Sequence, residues 1–257
     1  MVFSALAPPA PAPPGVTLVG VGPGDPDLLT VAAIRAIRAA AVVAYPVARP
    51  EGEGMAARIA EPWIAAHQRR LPLVLPMVEA AEPRRLAWHG AAAALAAEVA
   101  AGRSVVLLCE GDPSLYASGS YLLLALAARH PAVRLTVVPG VTALAAAAAA
   151  ACGPVGPWPL ALQQEPLLIQ PTPDTPEALQ ALLAARGEGG LVLLKLGRRW
   201  PWVRRVLAEQ GLLDQALLAQ RVGWPDQRLV PAAAAPAEEQ PYFSLLLIRR
   251  GWPAVMP

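Results

Sequence analysis

Three glycine-containing stretches carry the residue types from which a ligand site could be built. The first is Gly20-Val21-Gly22-Pro23-Gly24-Asp25-Pro26, between an apolar run and a helical pattern. Glycine in a strand-to-helix turn lets a ligand approach the backbone closely, and the first amides of a helix favour anionic groups. The second, Glu110-Gly111-Asp112-Pro113-Ser114-Leu115-Tyr116, adds carboxylates to the same kind of turn. Asp-Pro is also ordinary turn chemistry, so this stretch reads either as a site or as a plain reversal. The third, Val138-Pro139-Gly140-Val141-Thr142-Ala143, ends in a hydroxyl that either caps the next helix or bonds a ligand there. None is a dinucleotide fingerprint. GxGxxG would need glycine where Asp25 stands, Pro23 removes one amide, and no carboxylate follows the strand ending at Tyr45-Pro46 to hold a ribose.

A fourth stretch, Gly197-Arg198-Arg199-Trp200-Pro201-Trp202-Val203-Arg204-Arg205, places cations between aromatic faces. Planar guanidinium groups clamp carboxylates, although a solvated helix face anchored by tryptophan shows the same pattern. His67, His89 and His130 have no ligand-like spacing, so no protein-held metal is expected.

The elements that must position these stretches alternate. Val16–Val21 reads as a strand, followed by a helix with Val31, Ile34, Ile37 and Ala41 on one face, with Asp25 as cap and Pro26 at its first position. A strand at Ala41–Tyr45 stops at Pro46. A helix near Gly54–Ala66, a strand at Leu71–Leu75 and an alanine-rich helix over Arg84–Ala101 follow. Ser104–Cys109, a helix through Tyr121–Arg129 and Leu135–Val138 continue the alternation, which predicts a parallel sheet. Gly153–Pro159 is the expected linker. Beyond it, strands are expected at Leu167–Gln170, Leu191–Lys195, Ala216–Val222 and Phe243–Ile248, with helices near Pro176–Ala185 and Pro201–Glu209. The expected organisation is α/β throughout: a proline-rich disordered tail over 1–15, one α/β domain over 16–153 and a second over 160–257.

Composition narrows the function. Of 257 residues 55% are hydrophobic and 16% charged, which suits a large buried core and excludes a charge-driven disordered chain. A net charge of +2 gives no broad field for nucleic acid. Prolines and glycines interrupt the uncharged stretch Leu135–Leu162, so no membrane span is expected there. Cys109 and Cys152 lack CxxC partners, which fits a reducing, cytoplasmic setting with both thiols buried.

Taken together, the three turns resemble those of the tetrapyrrole (corrin/porphyrin) methylase family, with its GxGPGDPxLLT start, GDP-containing turn and PG(V/I)T(A/S) turn. Within that family the chain is most similar to enzymes that methylate carbon 20 of precorrin-2. Supporting segments are Val42–Ala48, Leu75-Pro76-Met77, Trp88, Leu193–Arg198 and Pro241–Leu247. The resemblance implies a methyltransferase dependent on S-adenosylmethionine, with two α/β domains, the cofactor in the cleft between them, and a homodimeric state. It implies cofactor contacts at Pro23, Glu110, Gly111, Asp112, Leu115, Thr142 and Ala143, and from the second domain at Lys195 and Gly223. Precorrin-2, or its cobalt complex, is a polycarboxylate, for which Arg198 and Arg199 are the expected clamps. Asp112 is the candidate base for the proton lost from carbon 20. Methylation at another macrocycle position, and a non-catalytic tetrapyrrole carrier, are the rival functions.

Overall fold

The structure is a computed structural model that describes residues 10–251 apart from 77, 79 and 186. Most of the expected tail, residues 1–9, and the Met77 of the Leu75-Pro76-Met77 segment lie outside the described residues. The end of that tail is tied down: Ala12 N–H donates to Ala39 O at 3.1 Å, Arg134 donates to Pro13 O at 3.0 Å, and Gly15 already opens the first strand.

The chain divides into two compact units between Thr142 and Ala143. The first unit contains β1 (Gly15–Gly20), α1 (Val31–Ala39), β2 (Val42–Val47), α2 (Met55–Ala60), β3 (Arg69–Val74), α3 (Ala81–Ala100), β4 (Ser104–Cys109), α4 (Ser118–Arg129) and β5 (Leu135–Val138). Its sheet has the order β3-β2-β4-β1-β5 with every pair parallel, as the alternation predicts. All six residues of β4 are buried, the uninterrupted apolar run expected of a strand covered on both faces. Leu18, Leu95, Leu107, Leu122 and Leu126 pack one side of the sheet.

Local chemistry sets the helix ends. Asp25 accepts from Asp27 N–H at 2.8 Å and caps only the short 3-10 turn Pro26–Leu28; Thr30, accepting from Ala33 N–H at 3.0 Å, caps α1. Val31 lies on the solvent side of α1, 46% exposed, while Ala33, Ile34 and Ile37 are buried. Pro46 does not stop β2. The strand runs on to Val47 beside β3, and the missing amide costs nothing because the pairing to β4 ends at Ala44.

The second unit contains α5 (Ala143–Ala151), β6 (Leu167–Pro171), α6 (Pro176–Ala184), β7 (Gly189–Leu194), α7 (Trp200–Glu209), β8 (Ala216–Gln220), β9 (Arg228–Pro231) and β10 (Ser244–Arg250). The sheet order is β6-β7-β10-β8-β9: β6 and β7 are parallel, and β10 runs antiparallel to both β7 and β8. Leu179, Leu193, Trp200, Val203, Leu218 and Leu246 form its core, with the Trp200 indole donating to Pro236 O at 2.6 Å. The short edge strand β9 has no expected counterpart.

The division falls before the expected linker because α5 packs on β9 and β10, burying Leu144, Ala146, Ala147 and Ala151. The Gly153–Pro159 segment is itself held to the second unit. Val155 N–H donates to Ala151 O at 3.0 Å, and buried Arg249 donates to Pro159 O at 3.0 Å and pairs with Glu165 at 2.7 Å. Cys109 is buried, but Cys152 is exposed, contrary to the expectation for both thiols.

Gln68 shows how the first unit closes its helix ends. Its buried amide donates to Ile37 O at 2.6 Å and Ala40 O at 2.7 Å, at the C-terminal end of α1, and accepts from Ala65 N–H at 2.7 Å. Gln68→Leu strands these groups and lowers stability by about 1–3 kcal/mol, read as a shifted urea midpoint with an unchanged slope.

Candidate functional site

The parallel order sets the ends of β4, β1 and β5 side by side. Gly20 is opposite Cys109, and Val19 is opposite Val138, so the three expected turns leave the sheet at one level and at its carboxyl edge. There they meet backbone to backbone. A Cβ on Gly20 would lie 2.6 Å from Gly111 O and 2.7 Å from Gly140 N; one on Gly140 would lie 2.2 Å from Gly111 O. No side chain fits in this contact. Gly22 N–H donates to Gly111 O at 3.3 Å and Gly111 N–H donates to Gly22 O at 2.8 Å, joining the first turn to the second. Both residues hold left-handed backbones, Gly22 at φ +78 and Gly111 at φ +64. On its other side Gly111 borders open space, since a Cβ there would meet nothing within 4 Å. A ligand can approach that backbone.

Asp112 ties the second turn to the third. One carboxylate oxygen accepts from Ser114 N–H at 2.8 Å and from the Ser114 hydroxyl, and the other accepts from Gly140 N–H at 2.9 Å. Burial pushes its pKa up, but the Ser114 and Gly140 donors outweigh this and hold the carboxyl below the usual value. Glu110, immediately after β4, is partly buried and its pKa is pushed up by desolvation. Burial also raises the Cys109 thiol to about 12. Leu115 is half-buried, its N–H donating to Asp112 O at 3.2 Å, and Tyr116 beside it holds a left-handed φ of 54. Pro23 lies in the first turn, and Thr142 directly precedes α5, whose first residue is Ala143. The structure thus brings Pro23, Glu110, Gly111, Asp112 and Leu115 onto turns that leave one edge of the first sheet, and the third turn leads to Thr142.

The second unit gathers its expected residues on one sheet edge as well. Because β10 is antiparallel to its two neighbours, its first residue meets the last residues of β7 and β8: Leu196 N–H donates to Ser244 O at 3.2 Å, and Arg221 N–H donates to Phe243 O at 2.8 Å. Lys195, the chain's only lysine, leaves β7 at φ 56, and Arg221 leaves β8 at φ 45. Left-handed backbone is costly for such residues and collects at functional positions. Gly223, at φ 81, follows Arg221. The Arg221 guanidinium stacks 5.2 Å from the Trp224 ring and pairs with Asp226 at 2.6 Å, and Tyr242 packs edge-on to Phe243 with centroids 5.0 Å apart. Arg221, Trp224 and Tyr242 were not expected here. Lysine and arginine give no sequence signal of a left-handed φ, and only the sheet order brings these loops together. Arg198 is exposed, whereas Arg199 is already paired with Asp174.

Among the described residues, no three His, Cys, Asp or Glu side chains come together as metal ligands, and no helix is long and apolar enough to cross a membrane.

Glycine turns at the ends of three adjacent parallel strands, followed by a mixed five-stranded second unit, define a recognisable class. Residues 15–237 match the model of the Tetrapyrrole (Corrin/Porphyrin) Methylases, and the chain belongs to that family. It is 35% identical over 242 residues to the precorrin-2 C(20)-methyltransferase of Sinorhizobium sp, covering 91% of this chain and 94% of that one. It is 38% identical over 241 residues to the cobalamin biosynthesis protein CobIJ of Mycobacterium tuberculosis, but spans only 45% of that protein's length. The crystal structure of the methyltransferase CobJ superposes with a TM-score of 0.62 at 28% identity, covering 91% of this chain and 93% of that one.

Gly140→Ala forces a methyl into the carbonyl of Gly111. It is expected to lower the melting temperature by several degrees, the effect of about 1–3 kcal/mol of overpacking, whereas Gly153→Ala, which meets nothing within 4 Å, leaves it unchanged in the same calorimetric scan. Asp112 titrates below the usual 3.8, so it contributes stability above that pH and loses it as the pH falls through its lowered value. Asp112→Asn is therefore less stable than the native chain at pH 7, and the gap between the two urea midpoints narrows steadily below pH 3.8.

Proposed function

We propose that the protein transfers a methyl group from S-adenosylmethionine to carbon 20 of precorrin-2, or of its cobalt complex, in cobalamin biosynthesis. The observation that carries this reading is the backbone contact of Gly20, Gly111 and Gly140, with open space beside Gly111, in a chain that aligns over nearly its whole length with a precorrin-2 C(20)-methyltransferase. The methyl donor has an ammonium group and ribose hydroxyls that need acceptors, and a carboxylate that needs donors. Glycine turns that let a ligand approach the backbone beside Gly111 suit such a molecule.

The sulfonium supplies an activated methyl group, so the task of the protein is to align the two reactants and exclude water. In this reading Pro23, Glu110, Gly111, Asp112, Leu115, Thr142 and Ala143 line the cofactor, with Lys195 and Gly223 as further contacts. Asp112 acts by position, because its hydrogen bonds hold the second and third turns in register. Arg198 is exposed and, among the described residues, has no ion pair to give up before it takes a substrate carboxylate, while Arg199 must first give up Asp174. The protein is further proposed to act as a homodimer in the cytoplasm, a setting that suits a chain with free Cys109 and Cys152.

The test is anaerobic incubation of the purified protein with S-adenosylmethionine and precorrin-2, with and without cobalt, followed by product mass and mapping of the methylated carbon. One added methyl at carbon 20 is the expected result. A methyl at another carbon reassigns the substrate position, and tetrapyrrole binding without turnover identifies a carrier.

A further inference from the structure

The loops at one edge of the second sheet form a constellation of cations and aromatic rings, all of it within the second unit. Strand β10 lies between β7 and β8, so its entry, residues 240–243, separates the two strand exits, which stand two strand spacings, about 10 Å, apart. On the β7 side, Gln240 N–H donates to Gly197 O at 3.3 Å, and a Cβ on Gly197 would lie 3.9 Å from Tyr242 Cα. Arg198 follows directly and is exposed. On the β8 side, Arg221 N–H donates to Phe243 O at 2.8 Å. Tyr242, 58% exposed, therefore stands between the exits that carry Arg198 and Arg221. The Arg221 guanidinium is held in advance: it lies 5.2 Å from the ring of buried Trp224, and its Nε donates to Asp226 at 2.7 Å. Other arginines of this unit use a terminal nitrogen inside the chain: Arg199 on Asp174, Arg204 on Ala233 O, Arg249 on Glu165 and Arg250 on Leu183 O. Arg221 is held through Nε instead. Among the described residues its two terminal nitrogens have no hydrogen-bond partner, and the side chain stays 31% exposed. Those terminal nitrogens are the donors that grip a carboxylate.

We propose that this edge of the second sheet recognises the tetrapyrrole substrate: Arg221 binds one peripheral carboxylate through its terminal nitrogens, Arg198 binds another, and the Tyr242 ring supports the face of the macrocycle between them. The inference rests on the methylation reading above and names part of the surface that selects its substrate. Arginines carried on exits about 10 Å apart serve two carboxylates rather than one. An exposed aromatic ring between them matches a flat ligand with carboxylates around its rim. S-adenosylmethionine, with a single carboxylate, occupies only one such arginine. A guanidinium already fixed by a stack and an ion pair loses little side-chain freedom when the carboxylate arrives, so the contact adds affinity at a small ordering cost. Arg221 and Tyr242 are in this sense specificity residues, which bind the substrate and take no part in the bond changes.

Arg221→Gln removes the charge, Arg221→Lys keeps it without the planar fork, and Tyr242→Ala and Tyr242→Phe probe the ring. Each is measured by KM and kcat with precorrin-2 and by fluorescence titration with uroporphyrin III, a stable polycarboxylate macrocycle whose binding needs no turnover. For Arg221→Gln, KM and the uroporphyrin III dissociation constant are expected to rise about tenfold or more, with kcat within a few-fold of native and the calorimetric dissociation constant for S-adenosylmethionine within about twofold. Arg221→Lys recovers part of the loss. Tyr242→Ala weakens uroporphyrin III several-fold, and Tyr242→Phe leaves it near native. Native KM and native macrocycle affinity in Arg221→Gln or in Tyr242→Ala would overturn the proposal. Weaker S-adenosylmethionine binding with unchanged macrocycle binding would overturn it too and assign Arg221 to the donor's carboxylate. A lowered melting temperature with both affinities reduced alike would make Arg221 a brace of its loop. Uroporphyrin III binding that depends on Arg221, in a protein that methylates no precorrin-2, refutes the methylation reading and leaves the recognition site standing. Methylation at carbon 20 with macrocycle binding independent of Arg221 does the reverse, and a native protein that neither binds nor methylates refutes both.

Discussion

The first unit is organised around a contact that tolerates no side chain. Gly20, Gly111 and Gly140 press backbone on backbone at the ends of β1, β4 and β5, and the distances a Cβ would have to adopt there are shorter than any van der Waals contact. The contact forces three loops of different sequence to leave the sheet together. Parallel strands with flush ends make it possible, and the full burial of β4 keeps those ends in place. Asp112 then works as a clasp: its two oxygens serve two different turns, so the chain itself holds the second and third turns together.

The second unit reaches a comparable result by other means. Here the strands are not all parallel, and the loops that meet are two strand exits and one strand entry. β10 enters between β7 and β8, and both exits turn sharply through left-handed residues, Lys195 and Arg221. Two cationic residues in a costly backbone conformation thus leave the same sheet edge, with Trp224, Tyr242 and Phe243 in the same loops.

Polar groups in the interior follow a consistent rule. Gln68 completes the end of α1, Glu98 meets Arg69 at 3.3 Å and Arg103 at 2.5 Å, and Arg249 holds Glu165 and Pro159 O. Each binds a loop or terminus to a sheet that apolar packing has already formed. Glu110 stands outside this rule, a carboxylate at the site edge with no such structural task.

The sequence by itself determined the alternating α/β order, the parallel first sheet and the three glycine turns, because strand and helix periodicities and turn chemistry are local properties. Ser104–Cys109 and Leu135–Val138 appear in the structure with the bounds their residues imply. Tertiary structure alone decided the rest. Thr30 displaced Asp25 as the cap of α1 because a 3-10 turn intervenes. The alanine helix α5 joined the second unit because only packing tells which sheet a featureless apolar helix covers. Arg221, Trp224 and Tyr242 met Lys195 and Gly223 because strand order, a property of long-range pairing, sets which loops are neighbours. The different electrostatics of Glu110 and Asp112, two residues apart in one turn, depend on which donors the fold brings to each: three for Asp112, from Ser114 and Gly140, and among the described residues none for Glu110.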